Sequence, residues 1–271
     1  MKTLKKAVVV PVLANVQVTH DTWHITLEDK QIAHDSCGGQ FVNVFVPQNN
    51  GVLWRRPFGI HTTDPDKGVF TLLYKQIGRG TTALTTVKAG EALDILGPLG
   101  NCFTHTSDLK EAIIVAGGIG IAPFPLFIQH LVQHSVKISV FYGARSKIDF
   151  CCLDFFRQTG VNLHLATEDG SSGHKGFITA PLLAYLQTLP DKPGARIYVC
   201  GPTPMLAKMK ELCRDTGVPA EVSVETMMGC GFGACMGCPV PLENPASDGR
   251  LYALACKDGP VFNLEEIRFD E

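Results

Sequence analysis

Toward the C-terminus the chain runs Met228-Gly229-Cys230-Gly231-Phe232-Gly233-Ala234-Cys235-Met236-Gly237-Cys238-Pro239. Three cysteines stand at C-x4-C-x2-C spacing, and Cys256 follows after seventeen intervening residues. Any fold adopted by this chain must bring these four sulfurs to one point. The spacing is that of thiolates holding a 2Fe–2S cluster. Glycines between the ligands give a tight loop the positive φ and close backbone approach it needs to aim N–H groups inward. Such N–H···S bonds, with apolar cover from Met228, Phe232 and Met236, help set a reduction potential. Zinc sites favour paired C-x2-C knuckles, and a disulfide framework needs an oxidising compartment to which nothing else here points. Spacing and glycines together favour the cluster over both.

A chain of 271 residues has room for two domains and a small appendage. Its 45% hydrophobic and 18% charged content is that of a globular protein. A formal net charge of -2 gives no argument for binding nucleic acid or an acidic membrane surface. Outside the motif, Cys37, Cys102, Cys151, Cys152, Cys200 and Cys213 form no framework pattern and read as buried thiols in a reducing compartment. Residues 1–6, with three lysines, followed by the apolar run 7–14 have the outline of a signal peptide. That run is short and broken by Pro11, so a first β-strand with an edge proline is the better reading. Residues 112–128 carry no charge, yet contain three glycines and two prolines and fall short of the ~18–20 residues of a membrane span. The expectation is a cytoplasmic protein that does not enter the membrane.

Over the first hundred residues, short alternating segments at 15–20, 23–28, 40–46, 69–76 and 91–96 are separated by turns at 38–39, 48–51, 64–68 and 89–90. That pattern predicts a closed antiparallel barrel, with at most two helical turns at 81–88. Arg55-Arg56-Pro57-Phe58-Gly59-Ile60 ends an extended segment, and an arginine here can grip a phosphate bidentately. In Leu73-Tyr74-Lys75-Gln76-Ile77-Gly78-Arg79-Gly80-Thr81, two glycines precede a short helix whose N-terminus suits a diphosphate, and Tyr74 can stack on or hydrogen-bond a cofactor. Each motif alone is an ordinary loop; their pairing across one barrel carries the argument. Gly97-Pro98-Leu99-Gly100-Asn101 reads as a linker.

From residue 109 the period changes. The continuous apolar run 112–116 predicts a parallel strand covered on both faces. Gly117-Gly118-Ile119-Gly120-Ile121-Ala122-Pro123 and an amphipathic stretch at 124–133 follow, predicting a pyrophosphate cradle with Pro123 at the first helical position. It is an incomplete G-x-G-x-x-G, with Pro123 at the third glycine's place. Further β/α units are expected from strands at 137–142, 162–167 and 195–200 and helices near 150–158 and 180–187. Ligands bind at strand ends in such sheets, here Tyr142 to Ser146, Thr167 to Ser171, and Cys200-Gly201-Pro202. Glu168 and Asp169 suit a ribose 2′-OH, favouring NAD, while Arg145 and Lys147 leave NADP open; a solvated turn is the alternative.

The order of these motifs resembles the ferredoxin–NADP reductase superfamily and, more closely, the family of electron-transfer subunits of class B dihydroorotate dehydrogenases. The resemblance spans essentially the whole chain and is most specific at 228–238. It implies a β-barrel FAD domain (1–104), a parallel-sheet α/β NAD domain (105–218) and a small 2Fe–2S domain (219–271). It further implies that Arg56, Pro57, Phe58, Gly59, Leu73, Tyr74, Lys75, Gly80 and Thr81 bind FAD. Gly118, Gly120, Gly201 and Pro202 would bind NAD(H), with Cys200 as the catalytic position beside the nicotinamide; Asp169 joins this cofactor site from the strand-end reading above. Cys230, Cys235, Cys238 and Cys256 would hold the cluster. Family members usually carry Ser or Thr where Gly59 stands, which puts a hydroxyl contact to the flavin in doubt. The implied partner is an FMN-containing catalytic dihydroorotate dehydrogenase subunit, joined in a hetero-oligomer such as a heterotetramer and serving pyrimidine biosynthesis.

The cofactor set has a physical logic. NADH exchanges a hydride, a 2Fe–2S cluster passes one electron at a time, and FAD handles both. The alternative within the same chemistry is the NAD(P)H subunit of a ferredoxin reductase or sulfide dehydrogenase. Outside it lies a cluster-bearing sensor or structural module without turnover, which would lack flavin.

Overall fold

The computed structural model describes residues 6–46, 54–190 and 192–269. The expected turn at 48–51 lies outside these. Strands β1 (Lys6–Gln17), β2 (Thr22–Glu28), β3 (Phe41–Phe45), β4 (Arg56–Asp64), β5 (Val69–Lys75) and β6 (Ala92–Leu99) close into an antiparallel barrel in the order β1-β2-β5-β4-β3-β6. Alternation is the cause: Ile25 and Leu27, Val42 and Val44, Phe70 and Leu72, and Leu93 and Ile95 all point into one buried core. Two short helices cover it, α1 (Lys30–Asp35), capped by Asp29 accepting from the Ile32 N–H at 2.8 Å, and α2 (Arg79–Thr85).

Three barrel details differ from the sequence reading. Residues 7–14 and 15–20 are not two strands: β1 is one long strand, paired with β6 up to Pro11 and with β2 from Val12. Pro11 is therefore not on an edge, and its missing N–H falls where the ladder changes partner. The motif at 55–60 opens strand β4 rather than ending an extended segment. The supposed linker is also structural, because Gly97, Pro98 and Leu99 complete β6 and Leu99 is buried. A Cβ on Gly97 would lie 2.7 Å from Val42, so close packing of β6 on β3 selects glycine there.

The second layer contains β7 (Glu111–Gly117), α3 (Phe124–Gln133), β8 (Lys137–Ala144), α4 (Leu153–Thr159), β9 (Asn162–Thr167), β10 (His174–Lys175), α5 (Thr179–Thr188), β11 (Ala195–Cys200) and α6 (Thr203–Thr216). Beyond them lie β12 (Ala220–Ser223), β13 (Pro239–Pro241), β14 (Tyr252–Leu254) and β15 (Val261–Asn263). Seven strands make one sheet ordered β10-β9-β8-β7-β11-β12-β15, parallel except for β15. Its last two strands come from beyond residue 218. The uncharged stretch at 112–128 resolves into β7, a 3-10 turn at Gly118–Ile121 and the start of α3. Among the described residues, no helix is long and apolar enough to cross a membrane. Pro123 caps α3 rather than occupying its first turn, where Pro125 stands instead.

Cys37 and Cys102 are joined as a disulfide, their Cα atoms 5.9 Å apart, in place of two of the six outlying thiols expected from the sequence. Spacing alone does not reveal a pair separated by 65 residues. The remaining four, Cys151, Cys152, Cys200 and Cys213, are free.

Barrel and sheet meet along a tight seam. Gly38 lies against the backbone of Phe127 so closely that any Cβ would clash. His61 of β4 bonds through Nδ1 to the Ala122 carbonyl at 2.7 Å and is buried. Burial drives its pKa down to about 4, with the Ala122 bond opposing and His24 assisting. The folded state thus holds His61 neutral, and its contribution is complete above the unfolded value near 6.5. It is lost as pH falls toward 4, by about 3 kcal/mol at roughly 1.4 kcal/mol per unit. Denaturation midpoints should therefore drop between pH 6.5 and 4.5, and His61→Leu should flatten that slope. Equal slopes for both proteins would contradict this account.

Candidate functional site

The four motif cysteines converge because a hairpin closes the gap between the last two. Strand β13 begins directly after Cys238 and β14 ends two residues before Cys256, with Pro239 opposite Leu254. The Ala255 N–H donates to the Cys238 carbonyl at 3.0 Å, and the Cys238 and Cys256 sulfurs lie 3.2 Å apart. The other two ligands sit in an irregular loop. Ala234 and Cys235 N–H groups point at Cys230 Sγ (3.3 and 3.4 Å), while Cys230 and Gly237 N–H groups point at Cys235 Sγ (both 3.4 Å). Gly231 (φ 80°) and Gly233 (φ 93°) supply the left-handed turns this needs. Asn43 of β3 ties the loop to the barrel, its Nδ2 donating to the Cys230 carbonyl at 3.1 Å.

The donor chemistry fits an iron–sulfur cluster. Burial pushes the Cys230 thiol up, but the N–H groups of Cys235, Phe232 and Ala234 outweigh it and bring it down to about 6. A thiolate there is ready to ligate metal before any metal arrives. Cys238 and Cys256 are buried while Cys235 is exposed, so one edge of the site rests in the core and the other reaches solvent.

The strand order reverses at β7, with β8 and β9 to one side and β11 and β12 to the other. Here, between sheet and barrel, opens a cleft of about 280 Å³. The barrel lines it with Pro57, Phe58, Gly59, Leu73, Tyr74, Lys75 and Thr81. The sheet side brings Ile119, Ala122, Pro123 and Cys200, and the approach to the cluster loop brings Ser223, Val224, Glu225, Thr226 and Met228. The cleft is mostly apolar, as the binding site of a flat aromatic ring requires. A Cβ on Gly59 would lie 3.7 Å from Pro123, an ordinary contact, so the wall has room for the hydroxyl residue that Gly59 replaces.

Individual residues are sorted by their partners. Arg55 is committed to Asp94, Nη2 to carboxylate at 2.6 Å. Among the described residues, Arg56 donates to the carbonyls of Trp54 and Arg55, and Gly80 makes room for it, since a Cβ there would sit 2.9 Å from Arg56 Nε. The guanidinium and the first turn of α2 thus adjoin, the arrangement a phosphate needs. Thr81 Oγ1 caps that turn, accepting from the Ile77 N–H at 2.9 Å and the Gly78 N–H at 3.1 Å. The Tyr74 hydroxyl donates to Asn15 at 3.0 Å, and burial pushes its pKa to about 12; its ring remains for packing. Lys75 pairs with Asp21 at 2.8 Å.

On the sheet side, Gly118 (φ 55°) has open space where a Cβ would be, at the mouth of the β7 turn. A Cβ on Gly120 would clash with the Cys200 carbonyl oxygen, so close approach of the turn after β7 to the end of β11 requires glycine there. A Cβ on Gly201 would meet the Met205 methyl at 2.7 Å, and Pro202 caps α6. The Cys200 thiol is buried, and burial chiefly, then Glu225, raises its pKa well above the ordinary range. It is a neutral thiol. Arg56, Gly80, Gly118, Gly120, Asp169, Gly201 and Pro202 do not line the cleft itself. Asp169 stands apart after β9, its exposed carboxylate accepting from the Ser171 N–H and hydroxyl at 2.8 and 2.6 Å.

Glu225 was missed by sequence reasoning. It faces the cleft beside Cys200, and although solvent reaches it, the enclosing walls displace enough water to raise its carboxyl pKa. The available signal was a lone acid in the otherwise uncharged run from 222 to 229. Asn43 was hidden by its place inside an alternating strand.

Comparison with known proteins agrees with this geometry. Family models match for an oxidoreductase FAD-binding domain (residues 10–103), an oxidoreductase NAD-binding domain (114–211) and the iron–sulfur cluster binding domain of dihydroorotate dehydrogenase B (225–268). The electron transfer subunit of dihydroorotate dehydrogenase B (NAD+) from Desulforamulus reducens is 36% identical over 251 residues, covering 93% of this chain and 94% of that one. Its counterpart from Shouchella clausii is 35% identical over 258 residues, covering 94% and 96%. Among solved structures, one of an NADH-dependent reduced ferredoxin-NADP oxidoreductase aligns with TM-score 0.83 at 27% identity, covering 97% of this chain and 91% of that one. Sulfur convergence, cleft and full-length likeness agree, and the chain belongs to the family of dihydroorotate dehydrogenase B (NAD+) electron transfer subunits.

Proposed function

We propose that the chain carries electrons between NAD+ and a catalytic subunit that oxidises dihydroorotate. The observation that carries this reading is the single segment at 223–230, which forms one wall of the cleft and ends at the first cluster ligand. When bound, FAD and a 2Fe–2S cluster interconvert the paired electrons of a hydride and single electrons. The residues divide the remaining work. Arg56 and the α2 turn hold the flavin's phosphates; Pro57, Phe58, Gly59, Leu73, Tyr74 and Lys75 hold its ring edge, with the backbone at Gly59 replacing the usual hydroxyl. Gly118, Gly120, Gly201 and Pro202 shape the nicotinamide side, and Asp169 marks the ribose end. Cys200, as a neutral thiol, and Glu225 orient the nicotinamide. The units are 1–104, 105–218 and 219–271, the third lending two strands to the second's sheet.

The partner is an FMN-containing dihydroorotate dehydrogenase subunit in a hetero-oligomer of the cytoplasm, serving pyrimidine biosynthesis. Exposed Trp54, Met227, Phe232 and Met236 support a docking face on and beside the cluster loop, where Cys235 is also exposed. The likeness to an NADH-dependent reduced ferredoxin-NADP oxidoreductase favours a second reading, reduction of ferredoxin. Co-expression decides between them. The complex with the FMN subunit should reduce NAD+ with dihydroorotate, and the isolated chain should oxidise NADH with dyes but leave dihydroorotate untouched. No complex and rapid ferredoxin reduction would favour the second reading.

Two substitutions test the assigned roles. Cys235→Ser should abolish cluster iron while FAD content and NADH–dye activity persist; loss of FAD as well would break the modular account. Cys200→Ala should slow flavin reduction by NADH at least tenfold, about the lower range for a misplaced reactant, with FAD content unchanged. An unaltered rate would remove Cys200 from the site.

A further inference from the structure

Away from the cleft, three of the nine histidines meet. His130 stands in the last turn of α3 and His134 at its C-cap, one turn apart in sequence. His105 reaches them from the segment between β6 and β7. Ligand nitrogens of the three all fall within 4.8 Å of one another, and His105 Nδ1 lies 3.2 Å from His130 Nε2. Tetrahedral zinc with Zn–N bonds of about 2.0–2.1 Å separates its nitrogens by roughly 3.3 Å. One pair is therefore already at coordination spacing, and the third needs only a small side-chain adjustment.

The surroundings hold the histidines in place. The backbone on the N-terminal side of His105 is anchored: Phe103 stacks on Phe124 at 5.2 Å, the Thr104 N–H donates to Glu221 at 2.9 Å, and the Tyr198 hydroxyl donates to the Thr104 carbonyl at 2.6 Å. His134 Nδ1 bonds to the His130 carbonyl at 2.8 Å, so its proton sits there and Nε2 is left with a free lone pair.

From this geometry we propose that His105, His130 and His134 form a binding site for one divalent transition-metal ion of the zinc class, separate from the cysteine cluster. Three neutral imidazoles suit zinc, nickel or copper rather than magnesium or calcium, and leave a fourth position for water. The ion would fasten the 101–110 connector to α3, stapling barrel to sheet at a second point. The test uses untagged chain with its full complement of FAD and cluster iron, dialysed against micromolar zinc with a competing chelator and analysed by elemental mass spectrometry. One zinc per chain is expected, with at least about tenfold weaker retention in His134→Gln and in His105→Ala, unchanged iron and FAD, and none retained in the triple alanine variant. Zinc should also raise the melting temperature of wild type but not of His134→Gln, whose exposed position makes misfolding no explanation. Equal zinc in wild type and triple variant, or none in wild type, would overturn the assignment.

Discussion

The structure depends on how closely barrel and sheet can approach. At the seam, Gly38 meets the backbone of Phe127, His61 bonds to the Ala122 carbonyl, and Asn101 donates to the Asp258 and Val261 carbonyls at 3.2 and 2.8 Å. These contacts fix a cleft whose walls come from both layers and whose far end becomes the cysteine loop. If the layers stood further apart, the flavin motifs on the barrel would no longer face Cys200. Asn43 would likewise lose its hold on Cys230. Geometry at one interface thus governs both a two-electron and a one-electron site.

The cysteine loop shows a second economy. Four sulfurs spread over 27 residues are gathered by one short hairpin and four N–H groups. The same N–H groups that will surround a cluster already lower the Cys230 pKa. Because Cys235 is exposed and Cys256 buried, the site has one edge in the core and another among exposed apolar side chains, while Met228 joins its loop to the cleft. That polarity is what a relay between a bound nucleotide and a second subunit requires.

Much of this was legible in the residues. The barrel follows from period-two alternation, the sheet from the apolar run 112–116, and the cluster from spacing and glycines, because each rests on a local rule. What stayed hidden is non-local. Pro11 and the 97–101 stretch look like breaks, yet closure of the barrel gives each a place in a ladder. The Cys37–Cys102 bond and the histidine trio join residues whose proximity only the fold creates. Glu225 shows no periodicity at all, and its role in the cleft is visible only once β12 is laid beside β11. Gly120 carries the opposite lesson: it sits in a nucleotide-like motif but is needed for packing against Cys200.

The central claim is that reducing equivalents entering from nicotinamide reach the cysteine site within this one chain. Anaerobic addition of NADH to the isolated protein, followed by optical and electron paramagnetic resonance spectroscopy, tests it most directly. The account predicts bleaching of the flavin bands together with the rhombic signal of a reduced 2Fe–2S cluster. Bleached flavin with a cluster that stays silent, although dithionite reduces it, would contradict it.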